Sequence, residues 1–179
     1  GEIYNHLDLK KLLEQKGYNF KTTSDTEVII KLFKEYGVDS FKKLSGIFAI
    51  SIYDKLTKKL YLIRDVLGVK PLYYYFNEVK KNFYFSSLIK PLLLSVNQKQ
   101  LNFEAIESYS NFNRNDLNET YFKNIFKVLP GELIIFENQN LKKIKLLRFN
   151  FRKDNIKDLN NEVTKIFSKQ FISDVPVAL

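Results

Sequence analysis

Residues 46–53 read Gly-Ile-Phe-Ala-Ile-Ser-Ile-Tyr, apolar at nearly every position. A strand covered on both faces has this pattern, whereas a half-exposed strand alternates. Outward from it, residues 54–58 read as a turn and 59–64 as a second strand. Residues 65–71 form a loop punctuated by Gly68 and Pro71. Residues 72–76 are a third strand, 77–82 a turn and 82–86 a fourth strand. Such short connections make neighbouring strands antiparallel.

Upstream, Leu9, Leu12, Leu13 and Lys16 keep helical spacing, and Gly17 stands where a left-handed cap closes a helix. An extended piece, 18–22, follows. Ser24-Asp25-Thr26-Glu27 is a capping box, with the Ser24 hydroxyl expected to take an amide proton near Glu27 and Glu27 to reach back to Ser24. Behind it Ile29, Leu32, Phe33 and Tyr36 form an apolar stripe that ends at Gly37. Downstream, 88–94 reads as a helix despite Pro91, and Asn102 caps another over 103–110. Residues 111–118 are polar. Pro130-Gly131 turns into a strand at 132–136, and Asn138-Gln139-Asn140 turns into a strand at 141–149. After a charged linker at 151–157, Leu159, Val163, Ile166 and Phe167 mark a last helix, and 173–179 begins another element. No internal repeat is visible. Helices, then a meander, then helices and a hairpin make a layered α+β chain rather than alternating βαβ.

Among 179 residues, 45% are hydrophobic and 16 Phe and 11 Tyr supply bulk for a core. No apolar run approaches the ~20 residues of a membrane span. No basic-then-apolar leader is read, so the expected location is cytoplasmic, without membrane contact. The chain opens at Gly1, inside a patterned stretch and not at a Met, so it is expected to be part of a longer polypeptide. Cysteine is absent, which excludes disulfides, thiolate metal sites and a cysteine nucleophile within these residues. One histidine, His6, excludes a histidine zinc cluster. The net charge of +9 raises nucleic-acid binding, but the lysines fall in pairs at turns and on polar helix faces. They form no tract interleaved with aromatics, so no nucleic-acid partner is expected.

No Ser–His–Asp set, phosphate-binding glycine loop or metal-ligand spacing appears. Three places carry chemical interest. In Gly1-Glu2-Ile3-Tyr4-Asn5-His6 the glycine either admits a ligand to the backbone, its amide acting as an oxyanion donor, or simply precedes a helix cap at Asn5. Asp25 lies in the first turn of a capped helix, where the macrodipole alone justifies a carboxylate; facing a pocket, it would suit an ammonium group. In residues 64–74, Arg64-Asp65 at a strand end precedes a loop shaped by Gly68 and Pro71. That arrangement reads as a structural lock or as a pocket rim. Tyr73, Tyr74 and Tyr75 read as sheet side chains rather than stacking platforms.

Taken in order, GEIYNH (1–6), SDTEVI (24–29), LSGIFAISIYD (44–54), LIRDVLGVKPLYYY (62–75), the FSS and KPLL pieces (85–87 and 90–93) and LPGEL (129–133) resemble the glutamine-hydrolysing asparagine synthetases. SDVPVAL (173–179) resembles the segment leading into that family's ATP-pyrophosphatase loop. The likeness weakens between 95 and 120. It implies a class II amidotransferase with the N-terminal-nucleophile fold, an αββα sandwich of antiparallel sheets, here without its first strands. The implied domains are a glutaminase domain at 1–150, lacking its N-terminal part, and a linker with the start of the synthetase domain at 151–179. In that family an N-terminal cysteine attacks the glutamine amide with its own α-amine as base, and ammonia passes to an aspartate adenylated by ATP and magnesium.

By this resemblance Gly1 and Glu2 match the end of an Asn-Gly-Glu motif, Gly1 as an oxyanion-hole amide and both as part of the glutamine pocket. Asp25 matches the aspartate that holds the substrate ammonium. Arg64, Asp65, Gly68 and Pro71 match a structural motif. The cysteine, the oxyanion asparagine and the arginine loop for the α-carboxylate are expected upstream of Gly1, and ATP and magnesium in the synthetase domain. Ser87 stands where the family commonly has glutamate. These residues alone are therefore expected to be inactive and, with part of a sheet uncovered, prone to association. Glutamine and the synthetase domain of the same protein are the expected partners, and a homodimer is compatible with the resemblance. Two other readings are a sister amidotransferase with a sugar or peptide-like acceptor and a degenerate, non-catalytic fragment of the same fold.

Overall fold

The computed structural model describes residues 1–96, 99–112, 118–148 and 158–170. The expected element at 173–179 and the linker at 151–157 lie outside the described residues. Two compact units divide the chain: Gly1 with Ile47–Arg148, and Glu2–Gly46 with the described part of 149–179.

The first unit contains two antiparallel sheets. One has the order β3 (Ala49–Asp54), β4 (Lys59–Arg64), β8 (Glu132–Glu137), β9 (Asn140–Lys145); the other is β6 (Asn82–Ser86), β5 (Tyr73–Asn77), β7 (Ile125–Lys127). Both tight hairpins read from the sequence are present, with Asp54 opposite Lys59 and Asn77 opposite Asn82. The sheets face each other across a buried cluster of Leu62, Leu72, Tyr74, Val128 and Ile134. Each such aliphatic side chain removed from water contributes about 1.5–3 kcal/mol. Phe83 and Phe136 stack across the gap with ring centroids 4.7 Å apart. Side chains alternate along a strand, so Tyr75 points away from Tyr74 and packs with Leu92 of α3 (Ile89–Ser95) and with Ile125. α4 (Phe103–Phe112) begins at Asn102, whose Oδ1 accepts from the Ala105 amide at 3.3 Å.

Three sequence expectations change in this unit. The stretch 46–53 is not one strand: β2 (Gly46–Ile47) and β3 are separated at Phe48. Nor is it covered throughout. Among the described residues β3 pairs only with β4, and Ser51 and Tyr53 are exposed. The last strand ends at Lys145 rather than at 149. β7, three residues long, was too short to leave a period in the sequence. The outer strand β9 carries Lys142, Lys143 and Lys145, charges that discourage pairing at an open edge.

The second unit holds β1 (Glu2–Ile3), α1 (His6–Gln15), α2 (Asp25–Tyr36), a 3-10 turn at Gly37–Lys43, and α5 (Leu159–Gln170). Leu13, Val28, Leu32 and Phe41 are buried, and Phe33 meets Phe41 at 5.6 Å. The 3-10 turn has no counterpart in the sequence reading, which placed the end of the helix at Gly37. Gly46 runs so close to β1 that a Cβ would strike the Glu2 carbonyl oxygen. On α5, Leu159, Val163, Ile166 and Phe167 are exposed. No helix among the described residues is long and apolar enough to cross a membrane.

The start of α2 differs from a reciprocal capping box. Ser24 Oγ accepts from the Thr26 amide at 3.2 Å, one residue earlier than expected. Glu27 reaches past Ser24 to the amides of Lys21 and Thr22 and to the Thr22 hydroxyl, and it pairs with Lys31 at 2.6 Å. Extended residues before the helix bring those amides closer than that of Ser24. The Lys31 ammonium, then the Thr22 hydroxyl and the Lys21 amide, hold the Glu27 pKa down at about 2, against an ordinary 4.5. A folded-state value below the unfolded one gives stability that is complete above pH 4.5 and lost as the pH falls towards 2. Glu27→Gln is therefore expected to lower the urea midpoint at pH 7 and to converge with the parent near pH 2. A difference independent of pH would show that Glu27 acts without its charge.

Candidate functional site

The sequence singled out the Arg64-Asp65 loop, the start of the chain and the start of α2. At the first, β4 delivers Arg64 and Asp65 to the strand end, and their side chains turn away from each other onto backbone groups. Arg64 donates from Nε to Lys70 O at 2.7 Å, from Nη1 to Val128 O at 2.8 Å and from Nη2 to Gly68 O at 2.5 Å. Burial lowers its pKa from the usual guanidinium value, while the neighbouring Asp65 charge opposes that shift. Asp65 is 1% exposed, and its carboxylate accepts from the amides of Phe48 (3.3 Å), Leu67 (3.1 Å), Val69 (3.0 Å) and Lys70 (3.1 Å). Four N–H donors replace the hydration that a buried carboxylate loses. Gly68 has φ +68°, and a Cβ there would lie 2.8 Å from Pro130 Cγ and 3.2 Å from Arg64 Cζ. The loop is tied onward because the Gly131 amide donates to Asp65 O at 2.9 Å.

Gly1 belongs to this same unit. A side chain there has no room, since its Cβ would lie 2.8 Å from Ile47 O and 2.9 Å from Phe48 Cα. Phe48 is itself fixed by Asp65, through the carboxylate and through the Asp65 amide, which donates to Phe48 O at 2.9 Å.

In the second unit, Asp25 is the first residue of α2, half-buried, and its Oδ2 accepts from the Ile3 amide at 3.2 Å. Its Oδ1 has the Thr26 hydroxyl at 3.4 Å, and no cation pairs with this carboxylate among the described residues. Glu2, next to Ile3 in sequence, is exposed. Asn5 precedes α1 but makes no side-chain cap; its side chain donates to Lys43 O at 2.9 Å and accepts from the Ser45 amide at 3.0 Å. His6 Nδ1 is 2.8 Å from Ile3 O, where the tautomer protonated at Nδ1 donates. Ser87 is exposed after β6. The sequence reading missed the Ile3 amide altogether, because a backbone donor leaves no trace in residue type. Among the described residues no three His, Asp or Glu side chains gather as a metal site.

The glutamine amidotransferase domain family matches residues 1–147. Asparagine synthetase (glutamine-hydrolyzing) 1 of Bacillus subtilis is 39% identical over 131 residues, 73% of this chain and 20% of that protein. Asparagine synthetase (glutamine-hydrolyzing) 3 of the same organism is 31% identical over 195 residues, 99% of this chain and 30% of that protein. The chain thus spans no more than 30% of the length of either relative. Among solved structures, the glutamine phosphoribosylpyrophosphate amidotransferase of B. subtilis, complexed with ADP and GMP, superposes with a TM-score of 0.52. It is 23% identical, over 79% of this chain and 27% of that one. That likeness concerns the fold, which is the α+β fold of the N-terminal-nucleophile amidotransferases.

Asp65→Asn turns one acceptor oxygen into an NH2 facing N–H donors, and leaves amides unpaired in a dry site. A loss of about 3 kcal/mol is expected in urea titration. A change of only a few tenths would show that the loop holds itself without the carboxylate.

Proposed function

The chain belongs to the glutamine amidotransferase domain family, homologous to the glutaminase portion of asparagine synthetases, and on that premise we propose that it binds glutamine for hydrolysis to glutamate and ammonia. The ammonia would serve ATP-dependent amidation of aspartate by another part of the same protein. Asp25 is the observation that carries the reading. Its carboxylate stands at the positive end of α2, anchored by the Ile3 amide and with capacity left for an ammonium group. The Glu2 and Gly1 backbone would line the glutamine site, Gly1 offering its amide to the developing oxyanion.

Residues 1–179 contain no cysteine, so the nucleophile of this reaction would come from outside them. ATP and magnesium would bind in the synthetase part. A cytoplasmic setting is part of the same proposal.

Asp25→Asn tests the charge while keeping an oxygen for the Ile3 amide. A charged hydrogen bond contributes about 1.5–3 kcal/mol, so glutamine KM in the full-length protein is expected to rise roughly 10- to 100-fold. Asparagine formation from supplied ammonia should be unchanged. An unaltered glutamine KM, or equal loss with ammonia, would overturn the assignment of Asp25.

A further inference from the structure

The first unit contains a cavity of about 370 Å³ whose lining includes none of Gly1, Glu2 and Asp25. Small-molecule sites commonly occupy about 300–1,000 Å³. Its walls are the β5–β6 turn, the end of α3 and two facing segments, one contributing Gln100 and the other Lys123 and Asn124. These segments are tied together: Leu101 bridges Phe122, and the Lys123 amide donates to Gln100 O at 2.9 Å. The turn is equally fixed, because Asn77 Oδ1 accepts the Val79 amide at 3.0 Å and the Lys80 amide at 2.8 Å.

The lining has one sign of charge. Lys80 and Lys123 contribute ammonium groups, and among the described residues no carboxylate lines the cavity; Glu78, the acid of the same turn, is outside the lining. Neither lysine has an ion-pair partner among the described residues. At the base is Tyr75, 7% exposed. Its hydroxyl accepts from Asn77 Nδ2 at 3.2 Å, while its own proton meets no acceptor among the described residues. Tyr84 packs on Tyr75 with centroids 6.0 Å apart and is 38% exposed, leaving ring surface open. Two cations, a phenol with a proton to donate and an aromatic wall suit a phosphate group carried by a molecule with a planar ring.

We propose that this cavity binds a small phosphorylated molecule, with Lys80, Lys123 and the Tyr75 hydroxyl on the phosphate and Tyr84 against the ring. The two lysines are exposed, so binding weakens as salt rises. Occupancy is read calorimetrically in the full-length protein, where a nucleotide site in the synthetase part shows as binding that the lysine variants below leave unchanged.

AMP, inorganic phosphate and uncharged adenosine are the probes. Saturable binding of AMP is expected, with phosphate weaker and adenosine at least tenfold weaker than AMP. Lys80→Gln with Lys123→Gln should cost at least tenfold in AMP affinity, and Tyr75→Phe several-fold. Lys81→Gln, on the neighbouring residue outside the lining, should leave it unchanged. Phosphate binding as tightly as AMP would overturn the role of Tyr84. Adenosine equal to AMP, no saturation by AMP, AMP binding that the double variant leaves wholly unchanged, or a Lys81→Gln loss equal to that of the double variant would overturn the site. If the double variant melts early, the single lysine variants and Tyr75→Phe carry the same test. None of these outcomes bears on glutamine hydrolysis, which depends on other residues.

Discussion

A buried carboxylate, with no cation bonded to it among the described residues, organises the sheet unit. Asp65 collects amides from both sides of itself in sequence: Phe48 before, and Leu67, Val69 and Lys70 after. The Phe48 bond interrupts an otherwise continuous apolar run and sets the break between β2 and β3. The later bonds curl the loop that carries the chain from β4 in one sheet towards β5 in the other. Arg64 completes the arrangement from the opposite polarity, holding three carbonyls that include Val128 O ahead of β8. Adjacent charges of opposite sign thus act on backbone rather than on each other. Amides surround the anion and carbonyls surround the cation, so each buried charge is satisfied locally.

That organisation reaches the start of the chain. Gly1 lies against the backbone of Ile47 and Phe48 with no space for a Cβ, and Phe48 is held in place by Asp65. A residue type chosen for its lack of a side chain therefore depends on a carboxylate more than sixty positions away. In the other unit, the two acids of the first turn of α2 have different surroundings. Glu27 is engaged by Lys31, Thr22 and the Lys21 amide, which explains its depressed pKa. Asp25 meets one amide and one more distant hydroxyl. Equal in charge and two residues apart, they differ because the extended residues before the helix wrap around Glu27.

Much of the fold was legible because it follows from local periodicity. The hairpins at 54–59 and 77–82 have polar turns between apolar strands, and α2 has its stripe and its serine. Features with no local signature were missed. β7 exists because Tyr73, Tyr74 and Tyr75 offer a free edge to Lys127, Phe126 and Ile125. The continuous cover expected for 46–53 fails where β3 has, among the described residues, a neighbour on one side only, leaving Tyr53 exposed.

The candidate residues were also legible as residue types, through ordered motifs rather than through chemistry visible in any one of them. Their partners were not. Sequence by itself determined the α+β class, the amidotransferase family and the acids and glycines worth watching, because periodicity, capping and motif order are properties of neighbouring residues. Only the tertiary structure decided that Asp65 gathers amides, that Asp25 meets Ile3 and that Tyr75 faces a cavity with Lys80 and Lys123. Backbone donors and distant side chains are brought together by folding, and nothing in residue identity specifies which of them will meet.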